Sequence, residues 1–170
     1  TTLSNELDII ESFLKIEKFR LDKNLQYTLD IDPGCLQTEL PPLLIQPLVE
    51  NSVVHAVEQT PGGGKIYVKV ANTSSGIDVT VQDNGPGMDE STQRRVFEPF
   101  FTTRANGTGL GLAVVRAVID AHRGTIELDP SYREGARFVL RLPLMETDQH
   151  LPSRMLRNQK KAGVADSRCV

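Results

Sequence analysis

The sequence predicts an α+β protein: a two-layer α/β sandwich whose sheet is mixed but mostly antiparallel, with its helices on one face. Three observations carry this. Five short segments alternate apolar and polar residues, four of them in hairpin pairs, as half-buried strands do. Segments of helical period stand between them, so helices and strands are interleaved rather than segregated. The chain has 170 residues, 39% of them hydrophobic but only 5% aromatic, which suits one domain with an aliphatic core and room for a modest attachment.

The elements follow in order. Leu3, Leu7, Ile10 and Leu14 are spaced 4, 3, 4, a heptad seam on a helix over residues 3–21. Ile9, Phe13 and Ile16 form a second stripe beside it. Two stripes suit a helix of a bundle, but an ordinary packed helix of the same domain reads equally well. Leu25 to Ile31 alternates as a strand, and Asp32-Pro33-Gly34 turns the chain. Pro41 and Pro42 suit the opening of a helix from Leu43 to Val57, with Pro47 near its start. Thr60 to Gly64 reads as a flexible loop. Lys65–Val70 and Ile77–Val81 form a hairpin across Asn72–Gly76. Residues 89–109 look irregular, apart from a short helix near Glu90–Val96. Leu110 to His122, rich in Ala and Val, is a helix, and strands at 125–128 and 137–142 close the domain. Residues 146–170 have few large apolar side chains and no period, the signature of a disordered tail.

Composition excludes several classes. No apolar run approaches the ~20 residues of a membrane span. The first residues lack the basic and apolar regions of a secretory signal. Cys35 and Cys169 are the only cysteines, too few for a disulfide framework or a cysteine metal cluster. The net charge of −3 argues against a nucleic-acid partner.

Four short motifs can carry chemistry, and each has a plain structural alternative. Asp83-Asn84-Gly85-Pro86-Gly87 follows a strand. Its carboxylate can accept from an exocyclic amine, and its glycines let backbone approach a flat ring; D-N-G is also an ordinary turn. Gly107-Thr108-Gly109-Leu110-Gly111 leads into an apolar helix, whose free N–H groups make an anion site; it reads equally as a hinge. It lacks the lysine of a P-loop. Asn51 and His55 share a helix face in Glu50-Asn51-Ser52-Val53-Val54-His55, where an amide oxygen suits Mg²⁺ and the ring suits phosphate; a polar stripe beside the core is the alternative. Phe97-Glu98-Pro99-Phe100-Phe101 puts half of the chain's six Phe in an irregular segment. It is either a loop pinned by its rings or a movable lid with an aromatic latch.

Their order and spacing together resemble the ATP-binding domain of sensor histidine kinases, a Bergerat-type fold shared with type II topoisomerases, 90-kDa heat-shock chaperones and mismatch-repair ATPases. The likeness covers roughly residues 25–143. Leu40 to Asn51 is similar to kinases with a P-x-x-x-x-P-L-V-E-N box, whereas Phe97 to Arg104 is similar to nitrogen- and flagellar-regulatory kinases. The resemblance implies ATP and Mg²⁺ as cofactors, with Asn51 as the metal ligand. Glu50 would polarise the attacking nucleophile or support the metal. His55 would approach the phosphates. Asp83 would bind the adenine amine in a pocket shaped by Gly85 and Gly87. Gly107, Thr108, Gly109, Leu110 and Gly111 would wrap the triphosphate. Thr103 and Arg104 would belong to a nucleotide lid, with Arg104 on phosphate and Phe97, Phe100 and Phe101 ordering it.

The same resemblance implies a domain plan. Residues 1–22 would end a dimerisation helix, 23–144 would form the catalytic domain, and 145–170 would be the tail. The partners implied are a dimerisation and phosphoacceptor domain of the same kinase, a response regulator and a second copy in a homodimer. The location implied is cytoplasmic, including the cytoplasmic part of a membrane-bound sensor. Two departures stand out. Ala136 follows Gly135 where the family usually has Thr or Ser supporting a water at adenine. The three histidines are His55, His122 and His150, so no phosphoacceptor lies on the first helix. The chain therefore reads as a catalytic portion of a longer kinase. An ATPase clamp is disfavoured because Pro47 stands where such proteins carry an acid four residues before the Asn. A non-catalytic nucleotide-binding interaction domain is the other alternative.

Overall fold

The central strands alternate strictly between a covered and an open face. In a computed structural model describing residues 1–21, 24–60, 62–104 and 107–143, five strands form one sheet in the order β1-β2-β3-β5-β4. They are β1 (Leu25–Ile31), β2 (Gly64–Thr73), β3 (Gly76–Asp83), β4 (Thr125–Leu128) and β5 (Arg137–Pro143). Ile66, Val68 and Val70 of β2, Val79 and Val81 of β3, and Phe138, Leu140 and Leu142 of β5 are buried. Their neighbours Lys65, Lys69 and Arg141 are exposed. Burying one face and wetting the other is what a period-2 pattern specifies.

Only β1 and β2 run parallel, with Leu25 opposite Gly64; the other pairs are antiparallel. The β2–β3 hairpin is tighter than the sequence suggests. Thr73 pairs with Gly76, so the turn contains only Ser74 and Ser75. Asp83 ends β3 opposite Ile66, and Gln82 pairs with Arg137. This register brings the start of β5 beside the end of β3.

Helices cover the apolar face. They are α1 (Leu3–Arg20), α2 (Gln46–Gln59), α3 (Glu90–Arg95) and α4 (Gly111–Ala121). α1 starts on Thr2, whose Oγ1 accepts from the Asn5 N–H at 3.3 Å, and ends with Lys18 and Arg20 in a turn that favours cations. It packs on α2 and β1 through Leu3, Leu7, Ile10 and Leu14, all buried. Its second stripe divides: Phe13 packs against the core, whereas Ile9 is 47% and Ile16 65% exposed. α4 ends where Arg123 takes a left-handed φ of 58° before Gly124.

The second helix begins later than the prolines suggest, at Gln46 rather than Leu43. Leu43 has φ 59°, which no right-handed helix accommodates, so Pro41 and Pro42 belong to a turn. Pro47 occupies the first turn, where a missing N–H costs nothing. The expected tail, residues 145–170, lies outside the described residues. No helix among the described residues is long and apolar enough to cross a membrane.

Candidate functional site

Asp83 anchors the site from the end of β3. It is 3% exposed and built into the β3–β5 junction. Its N–H donates to the Ala136 carbonyl at 2.9 Å, and its Oδ1 accepts from the N–H groups of Gly85 (2.9 Å) and Ala136 (3.2 Å). Both backbone donors go to Oδ1, so Oδ2 accepts from neither. The junction demands glycine at 135, because a Cβ there would lie 2.1 Å from the Asp83 carbonyl oxygen. Burial pushes the Asp83 carboxyl above the usual carboxylate range, against the lowering effect of the Gly85 and Ala136 N–H groups. Asn84 holds the turn by accepting from the Lys65 N–H at 2.6 Å.

α2 supplies the facing wall. Asn51, Ser52 and His55 line the same cleft as Asp83, whose volume is about 470 Å³. Asn51 Oδ1 accepts from Arg104 Nη2 at 3.0 Å, a contact spanning 53 residues of sequence. Ser52 Oγ is buried without a hydrogen-bond partner. Glu50 is placed differently. It lies on the exposed side of α2, accepts from Gln46 Nε2 at 2.7 Å, and does not line the cleft.

The segment after α3 forms the third wall. Phe97 packs edge-on against Phe138 at 6.1 Å, and the Arg95 guanidinium stacks on Phe101 at 4.4 Å. Two of the three rings thus pin the loop. Phe100 instead is 76% exposed, has φ 65°, and donates its N–H to the Gly109 carbonyl at 2.9 Å. Gly109 has φ +66°, and a Cβ there would meet the Phe100 carbonyl carbon at 2.4 Å. Thr103, Arg104, Gly107, Thr108, Gly109 and Gly111 all line the cleft. α4 begins there with no side-chain cap, so its first N–H groups are available to an anion.

Of the sixteen residues given roles from the sequence, eleven therefore line one cleft, with Gly87 and Phe101 among them; Glu50, Gly85, Phe97, Phe100 and Leu110 do not line it. Gly85 acts through its bond to Asp83, and a Cβ on it would press on the His55 carbonyl oxygen at 3.0 Å. Ser52, Met88, Thr92, Leu112 and Phe138 also line the cleft and were not selected. Ser52 was discoverable as the neighbour of Asn51 that shares a face with His55. Phe138 was discoverable as the first inward position of β5, two residues after Ala136. A wider groove of about 880 Å³ between α3, α4 and β4 holds only Phe97 of these residues.

These residues fit Mg²⁺ held with a phosphate ligand. Asn51 Oδ1 already meets a cationic group, so it is directed at positive charge. Among the described residues no cluster of three or more His, Cys, Asp or Glu could hold a metal.

Comparison with known proteins agrees with the fold. Residues 41–146 match the family described as "Histidine kinase-, DNA gyrase B-, and HSP90-like ATPase". This chain belongs to that family. It is 38% identical over 115 residues to the signal transduction histidine-protein kinase AtoS of Escherichia coli (strain K12), a match covering 64% of this chain and 19% of the relative. It is 31% identical over 145 residues to the sensor histidine kinase YesM of Bacillus subtilis (strain 168), covering 84% of this chain and 24% of that protein. The chain thus spans about a fifth to a quarter of these relatives' length. Among solved structures, the nucleotide-free catalytic domain of histidine kinase ThkA superposes with a TM-score of 0.68 at 27% identity, over 85% of this chain and 93% of that one.

Proposed function

We propose that this chain is the ATP-binding catalytic module of a two-component sensor histidine kinase. Its reaction is transfer of the γ-phosphoryl group of Mg-ATP to a histidine on a separate dimerisation domain. One observation carries the reading: Asp83 and Asn51, on different elements, wall a single cleft into which the uncapped start of α4 also opens. The cleft offers a carboxylate oxygen for an exocyclic amine at one wall, an amide oxygen for a hard cation at another, and N–H groups for phosphate at the third.

In this reading Asp83 Oδ2 accepts from the adenine amine. Oδ1 is held by two backbone donors, so the accepting oxygen needs no reorganisation. Asn51 would hold Mg²⁺, which when bound neutralises charge on the transferring phosphoryl group. Arg104, now on Asn51, would exchange that partner for a phosphate oxygen, a charge-assisted bond suited to its fork of donors. His55 and the residues from Gly107 to Gly111 would hold the remaining phosphates. The exposed position of Glu50 suits a base acting on a histidine that arrives from another domain. An imidazole nitrogen attacks γ-phosphorus, the P–O bond to the β-phosphate breaks, and ADP leaves with its charge screened by the site.

The exposed stripe of Ile9 and Ile16 supports assigning residues 1–22 to the end of a dimerisation helix. A cytoplasmic setting, a homodimer and a response regulator belong to the same proposal. The test supplies a phosphoacceptor helix pair in trans with γ-labelled ATP. Acid-labile label on the acceptor histidine is expected. Release of inorganic phosphate without protein labelling would instead support an ATPase clamp.

A further inference from the structure

Glu6 is a buried carboxylate with no place in the chemistry above. It lies on α1 at 1% exposure. Its Oε1 accepts from the N–H groups of Ile45 (2.5 Å) and Gln46 (3.3 Å), across 39 and 40 residues of sequence. Its Oε2 is buried with no hydrogen-bond partner. Both acceptor bonds land on the start of α2, whose N-cap position, Ile45, offers no side-chain cap. The first turn of a helix has N–H groups that the helix itself cannot satisfy. Pro47 contributes none, and Leu48 and Val49 donate to the Ile45 carbonyl at 3.0 and 3.2 Å. The two donors left over are the two that Glu6 takes. A negative group there also meets the positive end of the helix dipole.

Burying a carboxylate is costly unless geometry compensates, and here one oxygen goes unpaired. That cost is spent at the start of the helix carrying Asn51, five residues beyond Gln46 and about 7.5 Å along the axis at the usual rise. The start of α1 is also tied to the segment that leads toward α2: Leu3 and Ser4 donate to the carbonyls of Thr38 and Leu36, both at 2.9 Å. We propose that Glu6 is a positioning residue for the nucleotide site: α1 supplies the cap that α2 lacks, and so sets where Asn51 stands. This rests on the reading of Asn51 as a nucleotide–metal ligand. Its consequence is that a shift of α1 along its axis is felt at the metal ligand without any rearrangement of the sheet.

The test uses the full chain and three variants: Glu6→Leu, which removes the acceptor; Glu6→Gln, which keeps one; and Ile126→Ala, which empties the one buried position of the edge strand β4. Amide hydrogen exchange, the Asn51 side-chain amide signal and the calorimetric affinity for Mg-ATP are measured where each variant is fully folded. In Glu6→Leu, exchange at residues 45–49 should accelerate by about 2- to 30-fold, the range expected of a lost cap. The Asn51 signal should shift, and affinity should fall by about tenfold, since small misplacements at such sites are costly. Glu6→Gln should restore protection and affinity to within about twofold, because its Oε1 can accept both N–H groups. Ile126→Ala should leave the Asn51 signal and affinity unchanged. The inference is overturned if Glu6→Leu keeps the wild-type Asn51 signal and affinity, if Glu6→Gln behaves like Glu6→Leu, or if Ile126→Ala loses affinity equally. Failure of the wild-type chain to bind Mg-ATP would defeat the proposed function instead. The exchange and Asn51 measurements would still decide the role of Glu6.

Discussion

Replacing Asp83 by Asn should separate stability from binding. The amide keeps an oxygen that can accept from Gly85 and Ala136, the bonds measured at 2.9 and 3.2 Å. With that oxygen committed to the backbone, its NH₂ takes the place of Oδ2. An adenine amine then meets a donor where it met an acceptor. A hydrogen bond to a charged acceptor contributes about 1.5–3 kcal/mol, so the Kd for Mg-ATP should rise about 10- to 150-fold. The apo protein should not weaken, because a buried charge has been exchanged for a neutral group in the same hydrogen bonds. Preference for adenosine over guanosine triphosphate should also narrow, since guanine presents an acceptor where adenine presents an amine. Calorimetric titration with both nucleotides, beside thermal unfolding of the apo protein, reads all three effects. Wild-type affinity in a folded Asp83→Asn variant would refute the adenine contact. Lost affinity together with a lowered apo Tm would refute the reasoning about the buried charge.

The other expectations concern the same walls. Ala136→Ser adds a hydroxyl beside Asp83, and one neutral hydrogen bond gained by the nucleotide or its water should lower Kd several-fold, by about 0.5–1.5 kcal/mol, in the same titration. Gly109→Ala forces a side chain onto a φ of +66° and against Phe100, so it should weaken nucleotide binding while global unfolding, followed by circular dichroism, changes little. The pH dependence follows from the raised Asp83 carboxyl. The folded state holds that proton more tightly than the unfolded chain, so its contribution is fully present below the unfolded value of about 3.9 and is lost as pH rises through the folded value. Unfolding curves across that range should show Asp83→Asn gaining stability relative to wild type as pH rises.

What was legible in the sequence was what repeats locally. Alternation in β2, β3 and β5 named the buried face correctly because one side of the sheet meets helices and the other meets water. The 4-3-4 spacing from Leu3 to Leu14 likewise marked the seam that is buried. Contacts that depend on strand pairing were not legible. The bond from Ala136 to Asp83 exists because β3 and β5 are neighbours in the sheet, and the Arg104–Asn51 contact exists because a loop folds back over α2. Pro41 and Pro42 carried a real helix-start signal. The left-handed φ of Leu43 is incompatible with a right-handed helix, and α2 starts only at Gln46. Glu6 gave no sign of burial, since a carboxylate beside an apolar seam ordinarily faces water. Only the uncapped start of α2, distant in sequence, explains it.

The most direct measurement follows the backbone amides of Gly85 and Ala136 and the side-chain amide of Asn51 by NMR during titration with a non-hydrolysable Mg-ATP analogue. All three should shift along one saturable curve with one Kd, because a single nucleotide reaches from Asp83 to Asn51. Movement of one group without the others, or separate midpoints for the two walls, would contradict the claim that they build one site.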